Sequence, residues 1–317
     1  MPRPAPLTVA PDARRTAASP RRRTRRESAT AWAFVSPSVV VIVGLSVVPV
    51  LWSLMLSFQS SDLLTPSRWV GLDNYHQLSD DPRFAQAVRN TLLYTALYVP
   101  LSIVLGLVLA LALNRRLRFT GLYRTLFFVP FVMSATSQGV LFSFIFDPEF
   151  GAANSLLHRI GIGSQGFFAD PSQALLSLVA VSVWSGTGFC VVIYLAALQG
   201  VPKELTEAAR LDGAGHRQVL GHVTLPHLAP VSVFLVLWQT INALQVFDLV
   251  YVTTKGGPLG ATTVIVYFIW EQAFKNFTAG YGAAAAYVLA VALLLAAVGL
   301  RLARRGGGVR PARGAGA

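Results

Sequence analysis

The stretch Glu207-Ala208-Ala209-Arg210-Leu211-Asp212-Gly213, followed by Val223-Thr224-Leu225-Pro226, is a polar segment wedged between two long apolar runs. Pro202 suits a first helical position, Lys203 to Asp212 are mostly good helix formers, and Gly213 sits where a helix wants a left-handed terminator. A second short helix fits from about Gly215 to His222, before Pro226 pre-sets the start of the next apolar run. The segment therefore reads as a built helix-turn-helix elbow. Ala208 and Ala209 are small enough to let another surface come close, and Glu207, Arg210, Asp212 and Arg217 put charge at the rim of such a contact. It has the make-up of a docking element.

Outward from the elbow the chain is apolar. Of its 317 residues 54% are hydrophobic and only 13% charged, where soluble domains carry about 25% charged residues. Six runs, at about 32–58, 91–113, 122–146, 175–198, 228–249 and 283–302, are long enough to cross a hydrocarbon core, which needs about 20 apolar residues. Apart from Arg124, Asp248 and Arg301 near run ends, they contain no Lys, Arg, Asp or Glu. An ionised group at the bilayer centre costs about 2.5–3.5 kcal/mol even on the lenient insertion scale. The fold class that follows is an all-α integral membrane protein with six transmembrane helices.

The distribution of the 26 Lys and Arg orients it. If the N-terminus is cytoplasmic, the inside segments hold 20 of them and the outside segments 6. The positive-inside rule then gives both termini and the Glu207 elbow to the cytoplasm. The net charge of +12 is thus an orientation and membrane-surface signal, with anionic lipid headgroups as partner and no nucleic acid. The arm with Arg14, Arg15, Arg21, Arg22, Arg23, Arg25 and Arg26 lacks hydrophobic periodicity and is expected to be disordered. Arg22-Arg23 could open a twin-arginine export signal, but the apolar run after it is as long as a full span and lacks a small-residue cleavage site. It is expected to stay attached.

A disordered basic cytoplasmic arm at 1–29, a six-span domain at 30–303 with the elbow at about 199–226, and a disordered cytoplasmic tail at 304–317 make up the chain. Residues 59–90 and 147–172 read as external loops. Gly71-Leu72-Asp73-Asn74-Tyr75 reads as a turn followed by a helix start. In the third external region Gly256-Gly257-Pro258 is a turn signal. The apolar 262–274 that follows is too short for a seventh span and suits a re-entrant or interfacial helix. The single Cys190 excludes an intramolecular disulfide and reads as packing, and the five scattered histidines form no ligand set. Neither a metal site nor a cofactor is expected.

Glu-Ala-Ala, three residues to Gly213, nine more to Val223, then x-Leu-Pro: residue for residue this resembles the EAA loop of ABC importer permeases, with Val223 for the usual Ile. Further stretches resemble the carbohydrate-uptake branch of that family, which includes the maltose and glycerol-phosphate permeases: Gly71 to Tyr75, Tyr123 to Pro130, Tyr194 to Gln199, Val201 to Leu205 and Phe247 to Pro258. Six spans without a large external insert depart from the eight-span maltose permease subunit. The resemblance implies the type I importer permease fold. It further implies a coupling role for Glu207, Ala208, Ala209, Asp212, Gly213, Leu225 and Pro226 against a cytoplasmic ATPase, in a bacterial-type cytoplasmic membrane. It also implies the partners: two ATP-binding subunits that carry ATP and Mg, a second similar permease, and an extracellular or periplasmic sugar-binding protein. Consistent with a separate motor, none of Lys203, Lys255 and Lys275 follows a glycine, as a Walker A loop requires.

A sugar offers hydroxyls to hydrogen-bond and an apolar face to stack. Trp238, Gln239, Asn242 and Gln245 recur at helical spacing on one side of the fifth run, with Asp248 and Tyr251 extending the stripe. Either they line a substrate pathway or they join helices by hydrogen bonds. Trp184, Ser185, Thr187 and Gly188 in the fourth run read as packing. The absence of interior Lys or Arg favours a neutral ligand. The function expected is a transmembrane permease subunit of an ATP-driven sugar importer, not an enzyme. The alternatives are an ion-coupled secondary transporter and an ABC permease for a non-sugar solute. The former usually carries mid-membrane acids or His, and no run here has one at its centre.

Overall fold

A computed structural model describes residues 25–114 and 120–306. The expectations for residues 1–24 of the basic arm and for the tail from 307 lie outside the described residues. Two compact units are present, residues 1–52 and 53–317. In the first, α1 (Arg25–Ile42) passes through a π-helical turn, Val43–Val47, into the start of α2 (Val48–Ser57). Residues 25–29 of the stretch read as a basic arm are helical; Arg and Glu propagate a helix as readily as the apolar residues after them. Every residue from 30 to 52 is exposed, including Phe34 and Leu45.

The second unit contains α3 (Asp73–Asp80), α4 (Pro82–Leu113), α5 (Thr120–Val132), α6 (Ala135–Ile145), α7 (Ala152–Arg159) and α8 (Ala174–Gln199). After these come α9 (Lys203–Leu211), α10 (His216–Val219), α11 (Leu225–Leu244), α12 (Asp248–Val252), α13 (Ile265–Trp270) and α14 (Ala279–Gly306). The only strands among the described residues are a two-residue antiparallel pair, Gln59–Ser60 with Arg68–Trp69. Four helices are individually long and apolar enough to cross a membrane, and a fifth if the bent pair α5–α6 is one span. The sixth apolar run lies within α14, Ala279–Gly306.

Helix α8 is the core of this unit, because it is buried on nearly all sides. Glycines let its neighbours approach. A Cβ on Gly106 of α4 would meet the Cys190 side chain, one on Gly186 the Tyr98 ring, and one on Gly188 the Phe127 backbone of α5. Small residues at such contacts trade side-chain volume for close backbone packing. Cys190 is buried among Ala110, Val191, Tyr194 and Leu235, a packing residue as its sequence context suggests. A second cluster gathers Tyr94, Tyr98, Leu178, Val181, Val250 and Tyr267.

The third apolar run is not a straight span. It breaks after Val132, and α5 and α6 meet at 99°. Pro130 lies within α5 and cannot donate to the ladder, and Ser134 starts a new helix by accepting from the Ser137 N–H at 3.1 Å. The carbonyls freed at the break find a donor in the buried Gln138, whose Nε2 reaches Pro130 O and Met133 O at 3.0 Å each. The same device recurs. Asn74 Nδ2 donates to Ser57 O and Gln59 O at 2.8 and 3.0 Å, Asn90 Nδ2 to Gly260 O and Thr263 O at 3.0 Å each, and Asn154 Nδ2 to Pro148 O and Gln165 O. Gly71-Leu72-Asp73-Asn74-Tyr75 is thus structural: Gly71 turns at φ 61° and Asn74 clamps the end of α2.

Two other boundaries depart from expectation. Helix α4 starts at Pro82, nine residues ahead of the apolar run at 91, because Asp81 caps it by accepting from the Arg83 N–H at 2.7 Å. Segment 262–274 folds into the short α13 and a π-helical turn, Glu271–Lys275, with Ile265, Tyr267, Phe268 and Glu271 buried. It packs on α4 and α14, so protein and not lipid covers its backbone. Glu271 is held there by Arg83 at 2.6 Å and Lys275 at 2.8 Å, and the bond to Glu271 raises the Lys275 ammonium above its ordinary pKa.

Replacing Gln138 with Leu keeps the volume but strands two buried carbonyls. The cost expected is about 2–6 kcal/mol, at about 1–3 kcal/mol for each of the two unpaired groups. A clear drop in the unfolding midpoint of the detergent-solubilised protein is the outcome to measure; an unchanged midpoint would show that Gln138 does not hold the break.

Candidate functional site

At the elbow, α9 runs from Lys203 with Pro202 as N-cap, one position earlier than the first-turn place expected of it. It ends as the sequence suggests: Gly213 takes φ 84°, its N–H donates to Arg210 O at 3.0 Å, and the Ala214 N–H donates to Ala209 O at 2.9 Å. This paired pattern is the Schellman terminator. The Gln218 side chain then accepts from the Gly215 N–H at 2.7 Å and starts α10. Nothing lies within 4 Å of a Cβ built on Gly213, so backbone conformation and not space demands glycine there.

Glu207, Ala208, Asp212 and Gly213 are exposed, and Ala209 is half-buried. Leu205 and Leu211 are 55% and 89% exposed. Among the described residues Glu207 has no ion-pair partner, since both salt bridges use Glu271. Val223, Leu225 and Pro226 do not begin a separate segment. A π-helical turn, Leu220–Thr224, carries α10 straight into α11, so that the chain is helical without interruption from His216 to Leu244. Pro226 cannot donate and its ring crowds the preceding turn, and a widened turn just before it is how an otherwise unbroken helix accommodates that.

The stripe on α11 meets a cavity of about 320 Å³. Trp238, Gln239, Asn242, Gln245 and Asp248 all line it. They do so differently from a continuous helical stripe: α11 stops at Leu244, Gln245 is its C-cap, and Asp248 opens α12 after Phe247 leaves helical geometry at φ −141°. Tyr251 is not in the cavity lining. It packs edge-on to Trp270 at 4.9 Å, in an aromatic group with Phe247 and Tyr267.

Gln239 both lines the cavity and joins helices by hydrogen bonds. It is 3% exposed and is the joint of three helices: Tyr98 Oη donates to its Oε1 at 3.2 Å, and its Nε2 donates to Gly186 O and Cys190 Sγ at 3.3 Å each. Trp238 is 44% exposed, with Phe189 and Phe234 beside it at 5.7 and 6.2 Å. Asn242 bonds back to Trp238 O at 2.8 Å.

Sequence reasoning missed the opposite wall. Tyr94 and Tyr98 of α4, Gln138 of α6, and Ser182 and Ser185 of α8 complete the lining. Tyr94 Oη donates to Ser182 Oγ at 2.6 Å. The repeat Tyr94, Tyr98, Ser102 at four-residue spacing was the available signal, since it puts hydroxyls on one face of an apolar helix. In the Trp184 set, Gly188 packs as expected and Trp184 meets Phe142 edge-on at 5.2 Å, but Ser185 lines the cavity. No Lys or Arg is among the lining residues, and no group of His, Cys, Asp and Glu among the described residues could hold a metal ion.

Residues 102–305 match the family model described as "Binding-protein-dependent transport system inner membrane component". The chain is similar to the probable ABC transporter permease protein YurN of Bacillus subtilis, 35% identical over 86% of this chain and 95% of that protein. It is also similar to the sulfoquinovosyl glycerol transport system permease protein SmoG of Agrobacterium fabrum, 33% identical over 85% of this chain and 89% of that one. Among solved structures, a chain of a bacterial ABC transporter that imports the acidic polysaccharide alginate superposes with a TM-score of 0.78. It is 23% identical, covering 88% of this chain and 96% of that one.

Gln239→Leu removes the shared joint of α4, α8 and α11. Interhelical side-chain bonds in membranes are worth about 0.6–1.7 kcal/mol, so a loss of about 1–2 kcal/mol is expected in reversible unfolding of the solubilised protein. An equally stable variant would reduce Gln239 to a pathway residue alone.

Proposed function

Since the chain belongs to the family of binding-protein-dependent transport system inner membrane components, the permeases of ABC importers, we propose that it is one permease subunit of an ATP-driven carbohydrate importer. Its Glu207 elbow docks on a separate ATPase. The observation that carries this reading is that elbow and cavity share one helix. From His216 to Gln239 the run is unbroken, about 35 Å at 1.5 Å per residue. Movement of α10, to which α9 is joined through the Gly213 turn, is therefore delivered to Trp238, Gln239 and Asn242 along one continuous helical run.

The docking face is supported by what it leaves uncovered. Leu211 at 89% exposure, Leu205, Ala208 and an unpaired Glu207 form a small apolar patch with a charged edge. Such a patch fits a groove on another protein better than it fits water. Two ATP-binding subunits supply ATP and Mg, a second homologous permease completes the pathway, and a sugar-binding protein delivers substrate from outside. Both termini and the elbow face the cytoplasm on the 20 to 6 division of Lys and Arg.

The cavity suits a carbohydrate. Amides at Gln239, Asn242 and Gln245 and hydroxyls at Tyr94, Tyr98, Ser182 and Ser185 supply donors and acceptors, and Trp238 offers a ring face. Trp238, Gln239, Asn242, Gln245 and Asp248 are the pathway residues proposed, and Tyr251 acts from the adjoining aromatic group. This chain brings no cation to the cavity, so its own contribution fits a neutral sugar; an acidic sugar would take its cation from the second permease.

Uptake into proteoliposomes holding the complete transporter should require ATP and its binding protein. Uptake that survives ATP depletion and stops when an ion gradient collapses would point to a secondary transporter instead. A β-branched residue at the φ of Gly213 costs about 1–2 kcal/mol in that backbone conformation. Gly213→Val should therefore lower uptake strongly at an unchanged membrane level, Gly213→Asn should retain most of it, and Glu207→Ala should weaken co-purification of the ATPase. Normal uptake by Gly213→Val would count against the coupling role.

A further inference from the structure

Behind the elbow, against the ends of α4 and α8, lies a cavity of about 830 Å³. Lys203, Thr206 and Arg210 recur at helical spacing along α9 and line it, and α10 adds His216 and Arg217. Leu111 at the end of α4, Leu198 at the end of α8, and Leu220 give it an apolar wall. No Asp or Glu is among the lining residues; Glu207, four residues after Lys203 and three before Arg210, borders the stripe without pairing to it. Among the described residues Lys203, Arg210 and Arg217 form no ion pair, since Glu271 takes part in both that exist.

Three permanently cationic side chains and an imidazole around one cavity repel each other unless an anion or water compensates them. Two guanidinium groups supply planar forks matched to phosphate oxygens, and the ammonium adds a point charge. The cavity is also at the ends of α4 and α8, where a span leaves the hydrocarbon and lipid headgroups begin. We propose that this cavity binds a phosphate group carried on a partly apolar molecule: the headgroup of an anionic phospholipid or a soluble phosphate ester. Bound there, the phosphate ties α9 and α10 to the ends of α4 and α8, and so bears on the same elbow that the coupling reading assigns to the ATPase. The inference rests on that reading for its effect on transport, and on the cavity alone for binding.

The test compares the full-length chain with the Lys203→Gln/Arg210→Gln/Arg217→Gln variant, whose altered side chains form no ion pair among the described residues. In one arm both are taken from nanodiscs of equal parts phosphatidylcholine and phosphatidylglycerol into detergent, and retained lipid is counted by native mass spectrometry. In the other, inorganic phosphate and pyrophosphate are titrated while the unfolding temperature is followed. Retention of phosphatidylglycerol about tenfold higher in the parent chain identifies the lipid as source, tenfold being one charge-assisted contact of about 1.4 kcal/mol. Stabilisation by pyrophosphate in the parent chain alone, without retained lipid, identifies a soluble ester. If parent and variant behave alike in both arms, the site does not exist. A variant that only loses the co-purifying ATPase, with no anion effect in the parent, would also overturn the site, by assigning the cations to a protein contact. Binding in detergent is indifferent to the side of the membrane, whereas external labelling of Leu211→Cys in whole cells would sink the coupling reading alone.

Discussion

Backbone polar groups cannot be left unpaired in hydrocarbon or in a dry interior, and the way this chain meets that demand shapes everything else. Where its helices run unbroken the ladder suffices. Where they break, a buried primary amide takes over: Asn74, Asn90, Gln138 and Asn154 each donate both protons to two backbone carbonyls. All four are at most 7% exposed. One amide can satisfy two carbonyls that point the same way, which a hydroxyl with its single proton cannot.

The cavity is a consequence of those breaks. Had residues 122–146 formed one straight helix, α6 would not turn its polar face with Gln138 toward α8, and had α11 continued past Leu244, Asp248 would not begin a new helix beside it. The close contacts at Gly106, Gly186 and Gly188 bring α4, α5 and α8 near enough for Tyr94 to reach Ser182 and Tyr98 to reach Gln239. Hydroxyl and amide groups are thereby gathered in one place, without any ionised group buried at the bilayer centre. A polar cavity is then compatible with insertion.

The elbow obeys the opposite logic, since it lies where water is available and can leave charge and leucine uncovered. Its rigidity is local chemistry: a Schellman end at Gly213, a Gln218 side chain returning to Gly215, and a π-helical turn that keeps Pro226 inside a continuous run. On α9 the apolar residues Leu205, Ala208 and Leu211 and the cations Lys203 and Arg210 lie on different faces, with Glu207 at the border between them. A single short helix can therefore meet one partner outward and an anion behind it.

Local rules made much of this legible in the linear chain. Length and purity of the apolar runs specified a helical membrane protein, because crossing hydrocarbon is a demand on consecutive residues. Gly213 was legible as a terminator because a left-handed residue ends a helix by its own dihedral preference, and Gly71 to Tyr75 as a turn and helix start for the same reason. The stripe from Trp238 to Gln245 was found because helical spacing puts those residues on one side. The bend at Met133, the early start of α4, the stop at Leu244 and the wall made by Tyr94, Ser182 and Gln138 were not visible. Each depends on which carbonyl a distant or turned-back side chain reaches, and sequence spacing does not encode distance between helices. The amino-acid order alone determined the membrane class, the elbow and half of the cavity; tertiary contact alone decided where the helices break and which hydroxyls face the amides, because a broken ladder is tolerated only where a partner from elsewhere arrives to pair it.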